Sequence, residues 1–171
     1  MQETIESTSG MNFTPLFTSL NRYSFYIEDS SFFDKTQNIK TVEFVTIEEV
    51  GEKSGIYFIE AKKSIPRDRG VYYNVLYDKF HHSLNLLLSN LLKIGRFAKH
   101  GALESDFKKQ FCDKKIVFIL IIPEIPEKHT LQVAGEIRRE FNRVNPILNS
   151  IWDIEILVFN EEMSRSYQFI E

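Results

Sequence analysis

The run Lys115-Ile116-Val117-Phe118-Ile119-Leu120-Ile121-Ile122 constrains the fold more than any other stretch of this chain. It is apolar without alternation, so a strand made from it must be covered on both faces, as in the centre of a sheet packed between other layers. Pro123 and Pro126 end it. It is far too short to span a bilayer.

The surrounding segments supply the rest of an α/β domain. Lys40 to Val50 and Ile56 to Ser64 are strand-like, rich in β-branched and aromatic residues. The link Gly51-Glu52-Lys53-Ser54-Gly55 joins them as an antiparallel hairpin. Leu76, Phe80, Leu84, Leu87, Leu88 and Leu91 recur at three- and four-residue steps and predict a helix over 77–94, stopped by Gly95. Lys99 to Asp113 is polar and reads as a loop or short helix. A second helix spans about Thr130 to Val144, with Leu131, Ala134, Ile137, Phe141 and Val144 on one face. A last strand runs from Trp152 to Phe159. Nearer the start, residues 1–11 read as disordered, Pro15 suits a helix start, and Tyr23 to Ile27 suits a short strand. The expected fold is a mixed β-sheet with an antiparallel hairpin flanked by helices, in a single domain over 12–171.

Composition agrees with one globular unit. The chain has 171 residues, 43% of them hydrophobic, enough for one core and little more. A single cysteine, Cys112, excludes an intramolecular disulfide framework. The polar, acidic opening lacks the basic start and apolar run of a signal peptide, and a cytoplasmic location follows as the expectation. The formal net charge of −3 argues against a uniformly basic nucleic-acid surface. Two local basic groups remain: Lys62-Lys63 with Arg67 and Arg69, and Arg138-Arg139 with Arg143. Each reads first as an ordinary solvated face and only second as a phosphate track.

One strand carries charges that need a reason. Period-two alternation puts Phe58, Glu60, Lys62 and Ser64 on the same face of 56–64. A carboxylate and an ammonium inside an aromatic, β-branched strand are costly if buried without partners. In one register open to the hairpin, Glu43 sits opposite Lys62 and Val45 opposite Glu60, which brings Glu43, Glu60 and Lys62 to one face. A one-residue slip would send Glu43 to the other. On the following helix Asp78, Lys79, His81-His82 and Asn85 form a polar stretch, which reads as an ordinary polar helix face. The adjacent histidines are not at helical spacing for a shared metal. No Walker loop, dinucleotide-binding glycine motif, nucleophile elbow or zinc cysteine set is present.

Glu60-Ala61-Lys62, preceded by an acidic residue on the neighbouring strand, resembles the PD-(D/E)xK superfamily of nucleases, whose core is the restriction-endonuclease-like fold. The resemblance covers roughly residues 30 to 122. Glu43 is the best match for the first acidic residue; Asp34, in Phe32-Phe33-Asp34-Lys35-Thr36, competes with it, and there is no Pro-Asp pair. The resemblance implies Mg²⁺- or Mn²⁺-dependent hydrolysis of phosphodiester bonds. Glu43, Glu60 and the Ala61 carbonyl would hold the metal, and Lys62 would orient the water or stabilise charge at phosphorus. The implied partner is nucleic acid, DNA first, with no membrane. A nuclease-like fold that binds nucleic acid or protein without cutting, alone or as a homo-oligomer, is the alternative. An α/β interaction module with a mere cross-strand ion pair is a third. Glu60→Gln is expected to remove activity with little loss of fold.

Overall fold

The computed structural model describes residues 10–18, 22–28, 39–48, 54–94 and 114–171. In chain order these form α1 (Thr14–Thr18), β1 (Arg22–Tyr26), β2 (Phe44–Glu48), β3 (Gly55–Ala61), α2 (Arg69–Leu92), β4 (Lys115–Ile121), α3 (Glu127–Val144), α4 (Pro146–Trp152), β5 (Glu155–Phe159) and α5 (Glu161–Ser166). The strands make one five-stranded mixed sheet in the order β1-β2-β3-β4-β5. β1 to β3 are an antiparallel meander, and β3, β4 and β5 run parallel. Every residue of β3 is buried, as is every residue of β4 after Lys115. The unbroken apolar run is therefore the covered inner strand that its composition requires.

Strand alternation divides the core in two. Val45, Ile47, Ile56, Phe58, Ile116, Phe118, Leu120, Ile156 and Val158 face α2 and α3. Phe44, Tyr57, Ile59, Ala61, Val117, Ile119, Ile121 and Phe159 face the opposite side, covered by Phe13 and Leu16 around α1 and by Phe169 and Ile170. Met11, within the stretch expected to be disordered, is buried in this second core; residues 1–9, the polar segment 99–113, Asp34 and Cys112 lie outside the described residues. Among the described residues no helix is long and apolar enough to cross a membrane.

Four boundaries differ from the sequence expectation. α2 starts at Arg69, two turns before 77, because Asp68 caps it by accepting a hydrogen bond from the Val71 N–H at 3.3 Å. It ends at Leu92, where Lys93 takes a left-handed turn (φ 54°). α3 starts directly after Pro126 and buries Thr130, Val133, Ala134, Ile137 and Phe141. That stripe leaves Leu131 84% exposed, contrary to its expected place on the buried face. Trp152 ends α4 and does not begin the last strand; Asp153, at φ 46°, turns the chain into β5.

Arg22, at the start of the edge strand β1, is a tertiary clamp. Its guanidinium donates to Glu48 Oε2 through Nε and Nη2 (3.1 and 3.0 Å), and to the carbonyls of Gln168 (2.6 Å) and Tyr167 (2.5 Å). It also lies over the Phe169 ring, 5.0 Å from the centroid.

Candidate active site

β2 and β3 pair with Val45 opposite Phe58, not opposite Glu60. The register is offset by two residues from the expected one. Apolar patterning fixes only the parity of a strand, so an even slip leaves the same side chains facing the helices. Carried one step past Phe44↔Ile59, the observed pairing sets Glu43 opposite Glu60. Both are buried, at 1% and 0% exposure.

The backbone around Glu43 is held from two sides. Ile27 N–H donates to the Glu43 carbonyl at 3.0 Å. Val42 N–H donates to Ser83 Oγ at 2.9 Å, and the same hydroxyl donates to the Lys79 carbonyl at 2.7 Å. α2 therefore grips the entrance of β2 just before the carboxylate. By register Val42 would pair with Ala61, so its N–H is diverted from the β3 ladder. Lys62 N–H donates to the Ile121 carbonyl on β4 at 2.9 Å. Across a trans peptide the Ala61 carbonyl then points the other way, toward β2 and Glu43.

Glu60 is the hub. Lys62 Nζ lies 2.7 Å and Lys79 Nζ 2.8 Å from the same oxygen, Oε1. Its other oxygen, Oε2, is buried with no hydrogen-bond partner among the described residues, and so is the Tyr72 hydroxyl. Burying an ionised carboxylate is tolerable only when nearby charges compensate it, and two ammoniums do so here. Tyr72, Leu76, Lys79 and Ser83 recur at steps of three and four, one face of α2. Sequence reasoning noted Lys79 but missed Tyr72 and Ser83; that spacing was the available signal.

The electrostatics define what Lys62 can do. Burial works against its charge, but the charge and hydrogen bond of Glu60, helped by Glu43 and Glu28, outweigh burial and raise its pKa above the ordinary lysine value. At neutral pH Lys62 is thus an ammonium: a donor and a positive charge, not a base. Burial first, then the neighbouring Glu60, raises the Tyr72 phenol well above the usual tyrosine range. Burial likewise pushes Tyr57 and Tyr73 up to about 12.

Groups with raised folded-state pKa values contribute stability that is intact below their unfolded pKa and is lost as pH rises through the folded value. Stability is expected to stay level to about pH 9 and to fall above about pH 10, measured by urea unfolding across that range. Tyr72→Phe should soften the fall. At pH 7 it should be neutral, or stabilising by up to about 1 kcal/mol, because it deletes a buried hydroxyl that lacks a partner. A loss of more than about 1 kcal/mol at pH 7 would refute that environment.

One arginine of each basic group is tied to a carboxylate. Arg69 pairs with Glu136 at 2.8 Å and Arg143 with Glu140 at 2.6 Å. His82 Nδ1 lies 3.2 Å from the Lys40 carbonyl, so that ring ties down the chain leading to Glu43. Lys63, on the other face of β3, lines a cleft of about 710 Å³ with Asn12, Glu124, Glu161 and Arg165, across the sheet from Glu60. Among the described residues no three His, Cys, Asp or Glu side chains gather as a metal site. The candidate oxygen ligands of the cluster are the carboxylates of Glu43 and Glu60 and the Ala61 carbonyl. They suit a hard cation that keeps several waters, and the unbonded Glu60 Oε2 is a donor still available to one. Comparison with protein-family models, curated proteins and solved structures finds no match.

Proposed function

We propose that this chain is a metal-dependent nuclease with a restriction-endonuclease-like core, hydrolysing phosphodiester bonds in nucleic acid, DNA first among the candidates. The carrying observation is that Glu43, one residue before β2, and Glu60 of β3 are both buried, facing each other when the register is carried one step past Phe44↔Ile59, with Lys62 two residues along on the same face. The order of elements, an antiparallel meander followed by helix, parallel strand and helix, supports the same reading. So does the direction of the Ala61 carbonyl. A cytoplasmic location goes with it.

Glu43, Glu60 and the Ala61 carbonyl would hold Mg²⁺ or Mn²⁺. When bound, such an ion lowers the pKa of a coordinated water and neutralises charge developing on phosphate. The chain's own contribution is then positional and electrostatic. Lys62, 32% exposed, is the member of the cluster that reaches solvent and a substrate phosphate. Its raised pKa makes it a permanent positive charge toward the phosphoryl oxygens and a donor that orients the water.

The second reading, a nuclease-like fold that binds nucleic acid or protein without cutting, is favoured by one feature. Glu60 is already neutralised by two lysines and is closed to solvent.

Cleavage assays on single- and double-stranded DNA and RNA separate the two. The nuclease reading expects cutting with Mg²⁺ or Mn²⁺ that stops on chelation. Lys62→Ala should slow it about 10²- to 10³-fold, the usual cost of removing a charge-stabilising donor, while retaining metal affinity. No metal-dependent cutting on any of the four substrates would leave the binding fold. Unchanged cutting in Lys62→Ala would remove the catalytic assignment.

A further inference from the structure

We propose that Lys79 is a built-in counter-cation that competes with a divalent metal for Glu60, so that the chain sets its own metal threshold. The inference rests on the nuclease reading of this site and adds a residue that the Glu-Ala-Lys motif does not contain.

Three observations converge. First, Lys79 and Lys62 crowd one oxygen of Glu60, at 2.8 and 2.7 Å, although a single ammonium would satisfy the charge of one carboxylate. Two ammoniums therefore stand against a single buried carboxylate. Without Lys79 only Lys62 would compensate Glu60. Second, the two lysines differ in freedom. Lys62 is 32% exposed and can swing its head into water along its flexible stem. Lys79 is 15% exposed, and its backbone carbonyl is fixed by Ser83, whose hydroxyl also receives the Val42 N–H. The ammonium that cannot easily leave is therefore the one from the helix. Third, Glu60 is fully buried and its Oε2 has no hydrogen bond among the described residues. Both ammoniums converge on Oε1, leaving a donor oxygen with nothing bound to it. A hard cation is what a buried, unpartnered carboxylate oxygen accepts best.

Metal entry thus places a divalent charge within a few ångströms of the Lys79 ammonium in a low-dielectric setting. Repulsion between them is large on the scale of binding. Removing the lysine charge should tighten metal binding by about tenfold or more, in a site where Lys62 still compensates Glu60 when metal is absent.

The test is Mn²⁺ binding to the full chain by calorimetry at fixed pH, with the shift in melting temperature on adding Mn²⁺ as a second readout. Wild type is compared with Lys79→Met, Lys79→Gln and Lys79→Arg. Both neutral variants should bind Mn²⁺ at least tenfold tighter than wild type and gain more thermal stability from it. Lys79→Arg, which keeps the charge, should stay near wild type. Glutamine retains a donor to Glu60, so it covers the case in which methionine does not fold. Measurable binding that is equal in wild type and both neutral variants overturns the role of Lys79 and leaves the nuclease reading standing. Absence of Mn²⁺ binding in every protein, at millimolar metal, overturns both. Tightening in Lys79→Arg equal to that in the neutral variants would show that shape, not charge, sets the threshold, and would also reject the proposal.

Discussion

Glu60→Ala is expected to cost about 3–5 kcal/mol of folding stability and to abolish any metal-dependent cleavage. The size comes from what the substitution leaves behind. Lys79, largely buried, loses its only described ion-pair partner, and Lys62 loses the carboxylate that raises its pKa. An ammonium stranded in the interior is far more costly than a broken surface pair, which is worth about 0–1 kcal/mol. Glu60→Gln should cost less, about 1–3 kcal/mol, since its carbonyl can still accept from one lysine. This revises the expectation from sequence, where the same change left the fold nearly untouched; complete burial of Glu60 is the reason. Urea unfolding of the two variants, alone and combined with Lys79→Met, gives a double-mutant cycle. Lys79→Met should restore part of the stability lost in Glu60→Ala. A loss below about 0.5 kcal/mol in Glu60→Ala, the range of ordinary surface changes, would mean the cluster is not buried as described.

Phe80→Ala should cost about 3–5 kcal/mol. Phe80 is fully buried where α2, α3 and the sheet meet. Its ring centroid lies 5.2 Å from that of Phe58 on β3, 5.6 Å from Phe118 on β4 and 6.0 Å from Phe141 on α3. Three elements border the cavity the substitution would open, and none can collapse into it without moving the others. Phe80→Leu, which keeps most of the volume, should cost less than half as much. The residue is also next to Lys79 in sequence, so a shift of α2 would move that ammonium off Glu60. The alanine variant should therefore alter Mn²⁺ affinity as well as the unfolding midpoint. Equal stability of the alanine variant and wild type would contradict the three-way packing.

The elements that were legible in the sequence are those whose apolar pattern was unambiguous. Lys115 to Ile122 could only be an inner strand, and the leucine repeat after Leu76 could only be a helix. Parity in β2 and β3 was legible too, because Val45, Ile47, Ile56 and Phe58 must face the same core. The even-step offset of that hairpin was not, since shifting by two residues preserves every inward side chain. The first two turns of α2 were hidden because Arg67-Asp68-Arg69-Gly70 has loop composition; only Asp68 as a cap marks the helix start. For the site, local spacing gave Glu60 and Lys62, and a neighbouring strand gave Glu43. Lys79, Tyr72 and Ser83 reach the same place from a helix, and their convergence depends on how that helix lies across the sheet.

The Arg22 clamp bears on how the chain reaches this state. Its bonds to the carbonyls of Tyr167 and Gln168 span 145 and 146 residues, among the longest loops the chain can close. Such contacts carry the greatest loop-closure entropy and slow folding. The clamp joins a nearby acceptor, Glu48, only 26 residues on, to a carbonyl 146 residues away. Until the distant half of the clamp closes, the outer rim of the sheet is held by the Glu48 pair and the β1–β2 ladder alone. Closure of the rim is thus a long-range event, whereas the bond from Lys79 to Glu60 spans only 19 residues.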